Sequence, residues 1–254
     1  MNVTLPLGET RQYHSNSQIA RVITEAWVSE NLYCPRCGYE KIEKFPNNRP
    51  AADFFCPRCG CQYELKSKKG KWGAKVNDGA YHTMIQRISS NENPDFFFMN
   101  YRENEVQNFF IIPKYFFVPD VIEKRKPLAE TARRAGWVGC NILLGKIPEQ
   151  GKIYLLKNGV PVERECVVAQ VQKRAGLETR NLTARGWLLD ILNIINGISE
   201  REFSLEQVYA FEERLAEKHP QNHHIKPKIR QQLQVLRDKG VVEFLGDGMY
   251  RKVW

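Results

Sequence analysis

Hydrophobic positions in the first third of the chain repeat with two different periods. Over residues 15–31, "SNSQIARVITEAWVSEN", Ile19, Val22, Ile23, Ala26 and Trp27 recur at i, i+3, i+4, i+7 and i+8, which predicts an amphipathic helix with Ser15–Ser17 as caps. "AADFF" and "CQYELKS" instead read as a strand and its return strand, separated by "CPRCG" at 56–60. "DGAYHTMIQRISS" predicts a second helix, with Tyr81, Met84, Ile85 and Ile88 on one face. "DFFFMNY", "NFFIIP" and "GKIYLLKNG" read as further strands, the first two as buried ones. Mixed strands and helices up to about residue 175 predict an α/β or α+β domain.

Beyond residue 180 the pattern turns helical. "GWLLDILNIINGI" is one helix, and "FSLEQVYAFEERLAEKHP" reads as a second, opened by a Ser204/Gln207 capping box. "HHIKPKIRQQLQVLRDKG" is a third, with Ile225, Ile229, Leu233 and Leu236 on one stripe and Gly240 as its stop. "VVEFLGDGMYRKVW" alternates around Gly-Asp-Gly and predicts a hairpin. Three helices and a hairpin are the order of a winged helix-turn-helix. The expected division is 1–180 and 181–254.

Charge narrows the function. The 254 residues carry a formal net charge of +9, which favours a polyanionic partner, nucleic acid first. The longest apolar runs are too short to span a bilayer, and the N-terminus lacks the charged start and apolar core of an export signal. The expected location is therefore cytoplasmic. Of the seven cysteines, Cys34, Cys37, Cys56 and Cys59 have the spacing C-x2-C-x18-C-x2-C. That spacing predicts a structural Zn²⁺ held by four thiolates, with no open position for water. Cys61 is a fifth candidate that lies outside the pairs and is expected to pack in the strand, and Cys140 and Cys166 give no such signal.

The second cysteine pair stands between Asp53 and Glu64-Leu65-Lys66. If the knuckle is a hairpin loop, the metal fixes the register of the two strands, and register decides which face each side chain takes. Asp53, Glu64 and Lys66 then share a face. Two carboxylates suit Mg²⁺, and Lys66 would orient or help deprotonate a water, or stabilise charge at a phosphate. A solvated strand face with a surface ion pair is the bland alternative.

Basic residues around this triplet point to DNA. Lys68, Lys69 and Lys71 follow it in what reads as a flexible loop around Trp72. Arg133, Arg134 and Trp137 offer groove contacts and apolar contact with a base. The third C-terminal helix would enter the major groove, its first turn presenting Asn222, His223, Lys226, Lys228, Arg230, Gln231 and Gln232. Arg251 and Lys252 on the hairpin are candidates for the backbone or the minor groove.

The sequence resembles the DpnI-like family of methyl-directed restriction endonucleases along most of its length. The resemblance is carried by "SNSQ", the paired Cys-x-x-Cys motifs, "NNRP-AADF", "ELKSKKG", "NDGAY", "NPDFFF", "RKPLAETARRAGWVGCNI" and "IRQQLQVLRDKG". It implies a PD-(D/E)xK mixed sheet flanked by helices, a zinc knuckle and a C-terminal winged helix. It also implies a type II site-specific deoxyribonuclease of bacterial cytoplasm, in which both domains read duplex 5′-GATC-3′ carrying N6-methyladenine. The family's catalytic positions fall on Asp53, Glu64 and Lys66, with Mg²⁺ on the two acids, and its zinc ligands fall on the four paired cysteines. Trp137 matches a segment near the methyl-sensing surface. Asp53 follows Ala52 rather than proline, with Pro50 three residues earlier, a departure from the superfamily motif. No stable protein partner is implied, so a monomer is expected. Two other readings stand beside this one: a zinc-containing winged-helix regulator that binds DNA without cutting it, and a nuclease that processes RNA.

Overall fold

The computed structural model describes residues 1–6, 15–46, 52–90, 92–179 and 181–254. Pro50 and the "NNRP" segment lie outside the described residues. The chain separates into two compact units, one formed by 1–145 with 150–175, the other by 146–149 with 176–254. Among the described residues no helix is long and apolar enough to cross a membrane.

In chain order the first unit contains α1 (Asn16–Asn31), β1 (Glu43–Lys44), β2 (Phe54–Phe55), β3 (Gln62–Lys69), β4 (Lys75–Ala80) and α2 (Tyr81–Ser90). It continues through β5 (Asp95–Arg102), β6 (Glu105–Ile112), β7 (Ile122–Lys124), β8 (Gly139–Leu143), β9 (Ile153–Lys157), β10 (Val160–Pro161) and α3 (Arg164–Ala175). The main sheet has the order β1-β2-β3-β5-β6-β9-β10, and a smaller one runs β4-β8-β7. Only the β3–β5 pairing is parallel within the main sheet, so the fold is mixed α/β.

The main sheet is covered on both faces, which explains why β5 is an unbroken apolar run rather than an alternating one. On one face Phe97, Met99 and Phe109 pack with Trp27 and Val28 of α1 and with Val167 and Val171 of α3. On the other, Phe96 and Phe98 stack with each other, and Phe98 stacks on Phe110. Ser15 caps α1 by accepting from the Gln18 N–H, as its position predicts.

Two readings of local pattern are corrected here. Asp78, Gly79 and Ala80, expected to open a helix, belong to β4, because their backbone is taken up by pairing with β8. The lysine-rich segment expected to be a flexible loop is partly strand: β3 runs on through Lys68 and Lys69 beside β5.

The second unit contains α4 (Leu182–Gly197), β11 (Glu202–Ser204), α5 (Leu205–Tyr209), α6 (Glu212–Lys218), α7 (Ile225–Asp238), β12 (Val242–Gly246) and β13 (Met249–Lys252). Strands β11, β13 and β12 form one antiparallel sheet, giving a winged helix-turn-helix. The Ser204/Gln207 capping box is present. The single helix expected over 204–218 is broken, however, into α5 and α6 around Ala210 and Phe211. Ile225, Ile229, Leu233 and Leu236 of α7 are buried. The wing turns at Gly246, Asp247 and Gly248, all with positive φ.

Candidate functional site

The two Cys-Pro-Arg-Cys-Gly pentads fold into equivalent knuckles. In each, the glycine N–H donates to the carbonyl of the first cysteine, Gly38 to Cys34 and Gly60 to Cys56, both at 2.9 Å. Each closing glycine sits at φ near +70°, a backbone conformation that costs an ordinary side chain. This is why the pentad repeats its last residue as well as its cysteines. The four Sγ atoms of Cys34, Cys37, Cys56 and Cys59 lie within 4.8 Å of one another, so the four cysteines are placed to hold a metal. Cys34 to Cys59 and Cys37 to Cys56 are each 3.6 Å. Zn–S bonds of about 2.3 Å at tetrahedral angles would set sulfurs about 3.8 Å apart. The cluster therefore fits such an ion with little adjustment.

Cys34 is fully buried, and burial pushes its thiol well above the ordinary range, against hydrogen bonds from Tyr63 and the knuckle backbone. A metal would have to displace that proton. The Tyr63 hydroxyl lies 3.0 Å from Cys34 Sγ, where it can donate to a thiolate. Its ring is fully buried and stacks on Phe97 at 4.6 Å.

Tyr63 is also the link to the acids. β2 pairs antiparallel with β3 through Phe54–Tyr63 and Phe55–Gln62, with the second knuckle as the connection. Asp53 then straddles Glu64 on the neighbouring strand. Its N–H donates to the Tyr63 carbonyl at 2.9 Å, and its carboxylate Oδ2 accepts from the Leu65 N–H at 2.7 Å. Glu64 and Lys66 pair in register with Phe96 and Phe98 of β5, on the face opposite Tyr63 and the cysteines.

Lys66 is the centre of the cluster. Its ammonium donates to Glu64 Oε1 at 2.5 Å and to Asp78 Oδ1, and lies 5.8 Å from the centre of the Phe96 ring. Side-chain exposures of 15% for Lys66, 18% for Glu64 and 4% for Asp78 set this apart from a solvated ion pair. Burial disfavours the Lys66 charge, but Glu64 and Asp78 outweigh it and raise the ammonium pKa above its ordinary value. Burial raises the carboxyls of Asp53 and Glu64, against the Leu65 N–H in the first case and Lys66 in the second. A cavity of about 280 Å³ opens beside the cluster, lined by Glu64, Asp78, Thr83, Met84, Arg87 and Phe96 among others.

Asp78 was missed by sequence reasoning. Its one signal is the "NDGAY" segment, whose pattern predicts a helix start, and its approach to Lys66 depends on β4 pairing with β8.

The basic candidates fall into three groups. Lys68, Lys69 and Lys71 are exposed, whereas Trp72 is half-buried against Phe98. Arg133 and Arg134 are exposed, and the Arg134 guanidinium lies 4.5 Å from the half-buried Trp137 ring. A Cβ on Gly139 would come within 2.7 Å of that ring, so glycine gives the indole its place. On α7, Lys226, Arg230 and Gln231 are exposed, and Lys228 is half-exposed and bonded to Gln231 Oε1 at 2.6 Å.

Two expectations in this region are corrected. Asn222 and His223 precede α7 instead of forming its first turn, because the helix begins at Ile225. Gln232 and Lys252 are buried, the latter donating to the Ile198 carbonyl, so neither faces outward. Arg251 is held by Glu202 at 2.9 Å and Glu243 at 3.1 Å, which offsets its charge on the wing.

Fold and site together define an α/β protein, with four cysteines placed to hold a metal, joined to a winged helix-turn-helix. Residues 1–180 match the Dam-replacing family (DpnI), and residues 183–252 match the Dam-replacing HTH domain. The chain belongs to the Dam-replacing family. That membership supports a methylation-dependent restriction enzyme and hence DNA as the partner.

Proposed function

We propose that the chain is a type II restriction endonuclease of PD-(D/E)xK type, with Mg²⁺-dependent cleavage of duplex DNA at 5′-GATC-3′ sites carrying N6-methyladenine. The observation that carries this reading is the Lys66-centred acid cluster on the back of a thiolate-pinned ribbon. A DNA-binding regulator accounts for the helix-turn-helix but has no use for a largely buried lysine among carboxylates. Residues 1–180 carry the nuclease and 181–254 a second reader of the site.

Asp53 and Glu64 hold the Mg²⁺. Hard carboxylate oxygens are the right donors, and the cluster already accommodates one cation, the Lys66 ammonium. When bound, Mg²⁺ activates water and neutralises charge developing on the phosphate. Lys66, held between Glu64 and Asp78, orients or helps deprotonate the attacking water and stabilises charge on the phosphate. The metal at Cys34, Cys37, Cys56 and Cys59 is Zn²⁺ in a structural role, since four thiolates leave no place for water.

Lys68, Lys69 and Lys71 neutralise backbone phosphates. Arg133, Arg134 and Trp137 face the methylated bases. Lys226, Lys228, Arg230 and Gln231 of α7 enter the major groove, with Asn222 and His223 reaching in from the preceding turn. Arg251 gives at most a backbone contact. The protein acts as a monomer in the bacterial cytoplasm.

The test is cleavage of methylated and unmethylated GATC duplexes in Mg²⁺, with RNA duplexes alongside. Cleavage restricted to methylated DNA, and lost in an Asp53→Ala/Glu64→Ala protein that still binds it, is the expected result. Tight binding of methylated DNA without cleavage by the native chain would leave the regulator reading in its place, and preferential RNA cleavage would establish the third.

A further inference from the structure

Asp78 comes to the cluster from a different sheet. The pairing of β4 with β8 shifts register between Asp78 and Ala80, and an irregularity of this kind re-aims a side chain. The result fixes one carboxylate oxygen: Oδ1 accepts from the Gly79 N–H at 2.6 Å and from Lys66. The other oxygen, Oδ2, is buried with no hydrogen-bond partner among the described residues. A buried carboxylate held this way is expensive unless its charge is used.

Its use follows from the double duty of Glu64, which is both the partner of Lys66 and, on the reading above, a ligand of the divalent ion. When Glu64 turns to the metal, Lys66 loses one of its two anchors. A four-carbon stem carrying a compact ammonium would then be free to leave the reacting centre. We propose that Asp78 is the positioning residue for Lys66, keeping its ammonium at the reacting phosphate while Glu64 binds the metal. Asp78 also keeps Lys66 from competing for Glu64, so the effect extends to metal affinity. The inference rests on the nuclease reading and assigns a further residue to it.

The experiment is a mutant cycle on the full chain with two readouts, single-turnover cleavage of a methylated duplex and Mn²⁺ titration without DNA. Asp78→Asn is expected to slow cleavage by roughly 10–100-fold, the range found when partners that orient a site are removed. Affinity for methylated DNA and melting temperature should stay as in the native chain, and Asp78→Glu should recover part of the rate. In the titration, Asp78→Asn should weaken Mn²⁺ roughly tenfold where Lys66 is present, yet change little on a Lys66→Ala background. Equal weakening on both backgrounds would make Asp78 a metal ligand and overturn the positioning role. Native-like cleavage by Asp78→Asn would overturn it as well. If Asp78→Asn fails to fold, Asp78→Glu carries the same cycle, with a smaller loss that again vanishes without Lys66. A native chain that cleaves nothing refutes the nuclease reading instead, and the Mn²⁺ cycle still decides whether Asp78 acts through Lys66.

Discussion

Tyr63 has a cysteine sulfur on one side of its strand and, through its neighbour Glu64, the acid cluster on the other. Its hydroxyl lies against the cysteine cluster, and partners of this kind typically tune metal affinity 10- to 100-fold. Tyr63→Phe keeps the ring that stacks on Phe97, so the fold should hold. Competition with a chromophoric chelator is expected to show metal bound at least roughly tenfold more weakly. An unchanged affinity would mean that the hydroxyl only fills space. At this scale the four-cysteine cluster was legible from its paired spacing, and the Glu64–Lys66 contact from strand alternation. Asp78 was not. Nothing local distinguishes an aspartate that opens a helix from one that ends a strand, and its partner Lys66 lies on another sheet.

Among the elements, α7 was the easiest to read and α6 the hardest. The stripe from Ile225 to Leu236 is a long, clean period, and Gly240 at φ +64° marks its end. Between Ser204 and Lys218 no glycine or proline announces a break. The division arises from packing, α5 against α4, β11 and α7, and α6 against α7. The same structure sorts the basic residues by what they can offer. Arg230 is exposed on α7, whereas Arg251 on β13 is already committed to Glu202 and Glu243. A phosphate contact contributes about one unit to the slope of log affinity against log salt. Arg230→Ala should therefore lower that slope by about one or relax preference at a single base position. Arg251→Ala should change either much less. Equal effects of the two substitutions in a salt titration would show that the wing charges rearrange on DNA.

Across the molecule, strand pairing and the four-cysteine cluster divide the work. The mixed sheet was foreseeable from continuous apolar runs, since β5 and β6 are apolar enough to be buried on both faces. The pairing order was not, because β3 lies parallel to β5, and β4 leaves for a separate sheet between them in sequence. Within that plan the cysteine cluster pins a ribbon of only two paired positions, Phe54–Tyr63 and Phe55–Gln62. So short a pairing specifies its own register only weakly, and cysteines placed to hold a metal lie beside it, between an aspartate and a Glu-x-Lys.

The central claim is that this clamp brings Asp53 and Glu64 to one divalent cation. Crystals of the chain with methylated duplex and Mn²⁺ in place of Mg²⁺ would locate that cation by anomalous scattering. The account predicts a peak touching a carboxylate oxygen of both Asp53 and Glu64, at roughly the 2.1 Å typical of magnesium-type sites, with Lys66 drawn toward Asp78. A peak that touches only one of the two acids, or none beside them at saturating Mn²⁺, would contradict it.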